Sequence, residues 1–212
     1  MFKRALLALT AVAVLAAASF PDPPAQHVAQ KAGTEKVVLA GGCFWGMEGI
    51  FESLRGVESA VSGYAGGNKM TAHYEMVSTG MTGHAESVEI TYDPAKISFG
   101  QLLKVYFSVA HDPTQLNRQG PDEGSQYRSA IFYTTDAQKH LAQAYIDELT
   151  AKHVFHDKIV TQIVPLQGFY AAEAYHQHFM QQHPDYPYIV YNDKPKLEAL
   201  HRDYPALIKP GA

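Results

Sequence analysis

Residues 36–54 read KVVLAGGCFWGMEGIFESL, and the hydrophobic pattern changes period halfway through them. Lys36 to Ala40 is a short β-branched and apolar run, the composition of a strand. Beyond Gly41-Gly42, the apolar residues Phe44, Met47, Ile50, Phe51 and Leu54 recur at helical spacing. The segment reads as strand, glycine turn, helix. It sets Cys43, the one cysteine of the chain, between a strand end and the first turn of a helix. Free amides and the positive end of the helix dipole meet there, which favours a thiolate over a neutral thiol of pKa about 8.5. The two glycines let the backbone turn tightly and leave the sulfur accessible.

Outward from this unit, residues 62–84 carry many glycines without sustained periodicity and read as a long loop bearing Tyr64, Met70, Tyr74, Met76 and Met81. Glu86 to Tyr92 alternates as a half-buried strand with Val88, Ile90 and Tyr92 on one face. Ser98 with Gln101 forms a capping-box signal before Leu102, Leu103, Tyr106 and Phe107, and Thr135 with Gln138 repeats it before a helix running to Ala151. Residues 111–126 read as a second loop, Tyr127 to Tyr133 and Lys158 to Val164 as strands, and Ala171 to Gln182 as a helix stopped by Pro184. The tail beyond Tyr186 has one helical stretch, Lys196 to Arg202. Strands interspersed with helices predict an α/β (α+β) fold, a two-layer sandwich of a mixed sheet with flanking helices and long functional loops.

The 212 residues suit one domain, and 46% apolar with 18% charged residues excludes a disordered chain. A net charge of -4 with scattered Lys and Arg leaves no electrostatic footprint for nucleic acid. One cysteine excludes an intramolecular disulfide and any multi-cysteine metal site. At the N-terminus, Lys3 and Arg4 precede an apolar run to Phe20, shorter than a spanning helix needs, then Pro21-Asp22-Pro23-Pro24. Residues 1–20 read as a secretory signal, cut after Ala18 or Ala25, and 21–34 as a flexible leader to a catalytic domain over 35–212. The expected location is secreted or periplasmic, without membrane attachment after cleavage.

Gly41 to Gly46, Gly63-Tyr64-Ala65-Gly66-Gly67, Tyr74-Glu75, Thr82-Gly83-His84-Ala85-Glu86, Tyr92-Asp93-Pro94, His111-Asp112-Pro113-Thr114-Gln115, Arg118-Gln119-Gly120, Asp122 and Gln126-Tyr127-Arg128-Ser129 follow one another in order. Together they resemble the A-type peptide methionine sulfoxide reductases, and the similarity spans most of residues 36–190. The resemblance implies reduction of the S epimer of methionine sulfoxide, free or in proteins. Such a reduction needs a nucleophile, an acid and hydrogen-bond donors close together. By resemblance Cys43 is the nucleophile and Glu86 the acid, kept protonated if an apolar pocket raises its pKa. Tyr74 and Tyr127 bond the sulfoxide oxygen, Asp122 orients polar groups or a water, and Phe44 and Trp45 wall the substrate methyl.

Many members of that family carry further cysteines that resolve the sulfenic acid; this chain has none, so an external thiol must do so. The resemblance thus implies no bound cofactor or metal, a thioredoxin-like protein or small thiol as reductant, and a monomer. Two other readings stand beside it. Cys43, His84 and Glu86 could form an acyl-transfer site, His84 and Glu86 sharing one side of a strand. Eleven histidines, His176 and His178 among them, suggest a secreted metal-binding protein, although positions two apart on a helix diverge.

Overall fold

A computed structural model describes residues 20–25 and 33–211; the segment expected as a secretory signal lies, but for Phe20, outside the described residues. The chain runs β1 (Glu35–Ala40), α1 (Phe44–Glu52), β2 (Val57–Ala65), α2 (Tyr74–Val77), β3 (Ala85–Tyr92) and α3 (Phe99–Val105), then β4 (Arg118–Gln119), β5 (Asp122–Glu123) and β6 (Ala130–Tyr133). It continues with α4 (Asp136–Ala151), β7 (Gln162–Pro165), β8 (Phe169–Ala171), α5 (Phe179–Gln182) and α6 (Lys194–Asp203). Six strands form one sheet in the order β7-β6-β1-β3-β2-β8, while β4 and β5 form a separate two-residue ladder. Among the described residues only the β6–β7 pair is parallel, so the sheet is mixed as expected.

The alternation of β3 decides how the sheet is covered. Val88, Ile90 and Tyr92 point with Val37 and Leu39 into the main core, where Phe51 of α1, Leu102 of α3, Leu149 of α4 and Leu200 of α6 meet them. The other face holds a smaller cluster of Val38, Ala40, Ala65, Ala85, Ala130 and Phe132. Helix starts follow the caps read from sequence. Ser98 Oγ accepts from Gln101 N while Gln101 Oε1 accepts from Ser98 N. Thr135 Oγ1 accepts from Gln138 N at 3.2 Å, but the Gln138 side chain turns to Thr134 N instead of closing a second box.

Four stretches depart from their sequence reading. Residues 57–65, the last four of them expected as loop, form the strand β2 between β3 and β8. Its pattern is blurred by a register shift at Val57/Ser59 and by Gly63, where a Cβ would meet Phe169 Cζ at 2.4 Å. Gly63 permits close approach here; it does not break the strand. The helix expected over 171–182 is divided into β8, a tight turn at Ala174–His176 and α5. Gln177 causes the break: its side chain accepts from Ser62 N and donates to Ser62 O and Ala172 O, tying the segment to β2. Of the strand expected over 158–164, only Gln162 onward pairs, since Val160 N is drawn to Pro113 O. Tyr127, expected to open a strand, belongs to a short turn at Ser125–Tyr127 just before β6.

Residues 20–25 lie against the helical layer. Tyr145 Oη donates to Pro21 O at 2.6 Å, Lys104 Nζ pairs with Asp22 at 2.6 Å, and Phe20 meets Phe155 edge-on at 6.1 Å. Pro23 covers Gly100 of α3.

Candidate active site

The β1–α1 turn is fixed from behind. Tyr106 Oη donates to Ala40 O at 2.8 Å, and His111 lies between Tyr106 O and Ser129 Oγ at 2.9 and 2.7 Å. Burial pulls His111 down to about 4, so it is neutral at ordinary pH. Gly41 packs on its ring, where a Cβ would come within 2.8 Å of Cγ. Gly42 has φ +93° and faces the Gln119 side chain, so only glycine fits the turn that presents Cys43.

Cys43 caps α1 and is partly accessible. Glu86, at the second position of β3 and 3% exposed, reaches the same helix end, where its Oε2 accepts from Phe44 N at 3.1 Å. Burial raises Glu86 to about 8; the Phe44 amide opposes the rise and Asp122 adds to it. At neutral pH the carboxyl carries a proton. The expected thiolate is corrected here. Burial pushes the Cys43 thiol well above its ordinary value, negative charge on Glu86 and Asp193 pushes it further, and the Trp45 amide opposes them. Loss of hydration is the largest cause of the rise at this position.

The other site residues predicted from sequence converge on this pair. Burial raises Tyr74 and Tyr127, and both feel the charges of Glu86, Cys43 and Asp122. Both phenols therefore stay protonated and can donate. Burial also raises Asp122, whose Oδ2 accepts from Tyr188 Oη. Trp45 stacks on Phe179 at 3.8 Å, meets Tyr186 and Tyr188 edge-on, and donates from Nε1 to His176 Nδ1 at 3.1 Å. Phe44 is sealed in the core between Tyr64 and His176, so the accessible aromatic wall belongs to Trp45.

His84 takes no part in a Cys-His-Glu arrangement. Its Nε2 lies 3.0 Å from Asn68 O, and no hydrogen bond joins it to Cys43 or Glu86 among the described residues. His176 and His178 do not converge either: the first packs on Phe44, Trp45 and Tyr74, the second faces Glu48 and Glu52.

Sequence reasoning missed three contributors. Tyr188 and Asp193 come from the tail, and Asp193, wholly buried over Gly46, is raised by burial to about 6 against the pull of Lys196. Glu173 accepts from Tyr74 N at 3.0 Å and from Tyr64 Oη at 2.8 Å, which ties the start of α2 to β2. The run of tyrosines at 186, 188 and 191 was the available signal for the tail.

A partly accessible cysteine beside a protonated carboxyl and two phenols, at a strand–helix junction of an α/β sheet, is an arrangement suited to cysteine-dependent chemistry that needs a proton. Residues 35–206 match the family model of peptide methionine sulfoxide reductase. The chain is 59% identical over 175 residues to peptide methionine sulfoxide reductase MsrA 2 of Mesorhizobium japonicum, covering 82% of this chain and 90% of the relative. It is 53% identical over 194 residues to the MsrA 2 of Synechocystis, covering 89% and 90%. Among solved structures, reduced Mxr1 of Saccharomyces cerevisiae superposes with a TM-score of 0.67 at 36% identity, covering 72% of this chain and 87% of that one. The chain belongs to the peptide methionine sulfoxide reductase family, and its activity is that of a peptide-methionine (S)-S-oxide reductase.

Proposed function

We propose that the reduction runs through a sulfenic acid on Cys43 and that an external thiol closes the cycle. The observation that carries this reading is the Glu86 carboxyl, protonated by burial and bonded to the amide that follows Cys43. Tyr74 and Tyr127 hold the sulfoxide oxygen, and Trp45, with Phe44 behind it, sets the methyl. The reacting form is the one in which Cys43 has given its proton to solvent and Glu86 keeps its own: Sγ attacks the substrate sulfur as thiolate while Glu86 gives its proton to the oxygen. The hydroxyl passes to Sγ, the thioether leaves as methionine, and Glu86 is left ionised. Asp122, tied to Tyr188, holds the polar side of the pocket.

The chain has no second cysteine, so no internal disulfide can form. An incoming thiol displaces hydroxide from the sulfenic acid as water, giving a mixed disulfide, and a second thiol releases Cys43. With a basic start and apolar run at its N-terminus, the protein acts on oxidised proteins and free methionine sulfoxide in a secreted or periplasmic setting. There an exported thioredoxin-like protein or a small thiol serves as reductant, and the enzyme works as a monomer.

The test is a single turnover without reductant. One methionine per chain is expected, with Cys43 one oxygen atom heavier and trapped by a sulfenic-acid reagent. More than one methionine per chain, or an unmodified Cys43, would overturn the scheme.

A further inference from the structure

The face of α1 turned away from the reacting thiol carries a second constellation that the reduction does not use. Glu48 and Glu52 stand one turn apart on that helix and therefore on the same side. Glu48 is 1% exposed, and its Oε2 accepts from Ser62 Oγ at 2.9 Å and from His178 N at 3.0 Å. Among the described residues its Oε1 is buried without a partner. Opposite stands His178 in the left-handed conformation, φ +54°. Its Nδ1 lies 3.1 Å from Glu52 Oε2 and 3.8 Å from the unpartnered Glu48 Oε1. One atom from each of the three residues falls within 4.8 Å of the others.

We propose that Glu48, Glu52 and His178 form a binding site for a zinc-type divalent transition ion. Ligands at the roughly 2.0–2.1 Å usual for zinc with nitrogen and oxygen donors are about 3.3 Å apart at the edge of a tetrahedron. The distances of 3.1 and 3.8 Å from His178 Nδ1 lie on either side of that value. An imidazole nitrogen in the set points away from Ca²⁺ and Mg²⁺, which take oxygen ligands, and toward the zinc class. Two carboxylates with a neutral imidazole balance a dication. The outer contacts suit the role as well: Ser62 and the His178 amide orient Glu48, and Gln181 Nε2 donates to Glu52 Oε2 at 2.9 Å. Glu52 and His178 line a surface cavity of about 560 Å³, with room for water as a fourth ligand.

Such an ion would fasten α1 to the segment that supplies Glu173 and His176 to the active site. Its role is structural, a clamp on the side of the helix away from the thiol.

The test uses the full chain with Cys43→Ser, so that the thiol cannot bind metal, freed of metal by chelator and titrated with zinc chloride by calorimetry. Zinc content after gel filtration and thermal melting serve as further readouts. One tight zinc per chain is expected, with a rise in Tm that calcium and magnesium do not reproduce. Adding His178→Asn, which tolerates the left-handed backbone, or Glu52→Gln to that background should weaken binding at least tenfold and remove the rise. Equal zinc binding in all three proteins would place the metal elsewhere and overturn the proposal. So would the absence of retained zinc, which would leave protonated His178 as the cation that these carboxylates face.

Discussion

Replacing Glu86 by Gln separates the proton this carboxyl carries from the space it fills. The folded protein raises Glu86 to about 8 from an ordinary 4.5, mainly by burial. The folded state therefore holds a proton that the unfolded chain releases. That contribution to stability is fully present below the unfolded value, declines as the pH rises, and is gone once the pH passes the folded value near 8. A gap of this size corresponds to about 5 kcal/mol. Gln has no such proton to lose, and other titrating groups cancel when the two proteins are compared. Urea unfolding of wild type and Glu86→Gln from pH 4.5 to 9 should show the variant gaining about 5 kcal/mol relative to wild type across that window. Turnover should fall about 10²–10⁴-fold, the range for loss of a general acid. Parallel stability curves, or a turnover within a few-fold of wild type, would refute the assignment of a buried protonated carboxyl as proton donor.

Four further outcomes are expected. Cys43→Ser should abolish reduction, since a hydroxyl is a far weaker nucleophile, and any activity near wild type by methionine release would remove Cys43 from the mechanism. Given both epimers, the enzyme should consume the S form and leave the R form on chiral chromatography; equal consumption would contradict the assignment of the oxygen to Tyr74 and Tyr127 and of the methyl to Trp45. The Cys43–Glu86 pair reacts with one proton, on the carboxyl, so kcat/KM should rise through about pH 8 and fall where the raised thiol loses the last proton. Glu86→Gln should lose the falling limb, and its persistence would assign that limb to another group. Thr135→Ala should lower stability by about 1 kcal/mol in urea unfolding, because it removes the oxygen that caps α4, while leaving kcat unchanged.

Local units were more legible in the sequence than the pairing of the sheet was. The change of period at Gly41-Gly42 located the β1–α1 turn, and alternation from Glu86 to Tyr92 located β3, because both signals are local. The strand β2 was not visible, since its stability comes from pairing with β3 and β8, and Gly63 is there for contact with Phe169. The same holds for residues 171–182, where bonds from Gln177 to Ser62 override a helical pattern. The protonation of Cys43 was read with the wrong sign because a dipole can be inferred from position on a helix, whereas burial depends on the whole fold. Tyr188 and Asp193 lie some 150 residues from Cys43 along the chain, a distance no local pattern spans.

The contacts of Phe20 to Pro23 with the helical layer bear on how the protein is best produced. A recombinant chain begun at Glu35 would leave the Tyr145 hydroxyl without its acceptor, Lys104 without Asp22, and Gly100 and Phe155 uncovered. Such a truncation exposes apolar surface on the helical layer, an invitation to self-association at the concentrations used for crystallisation. An expression boundary placed just ahead of Phe20 keeps the whole clasp, and an affinity tag attached there would leave from the α3 and α4 side of the molecule.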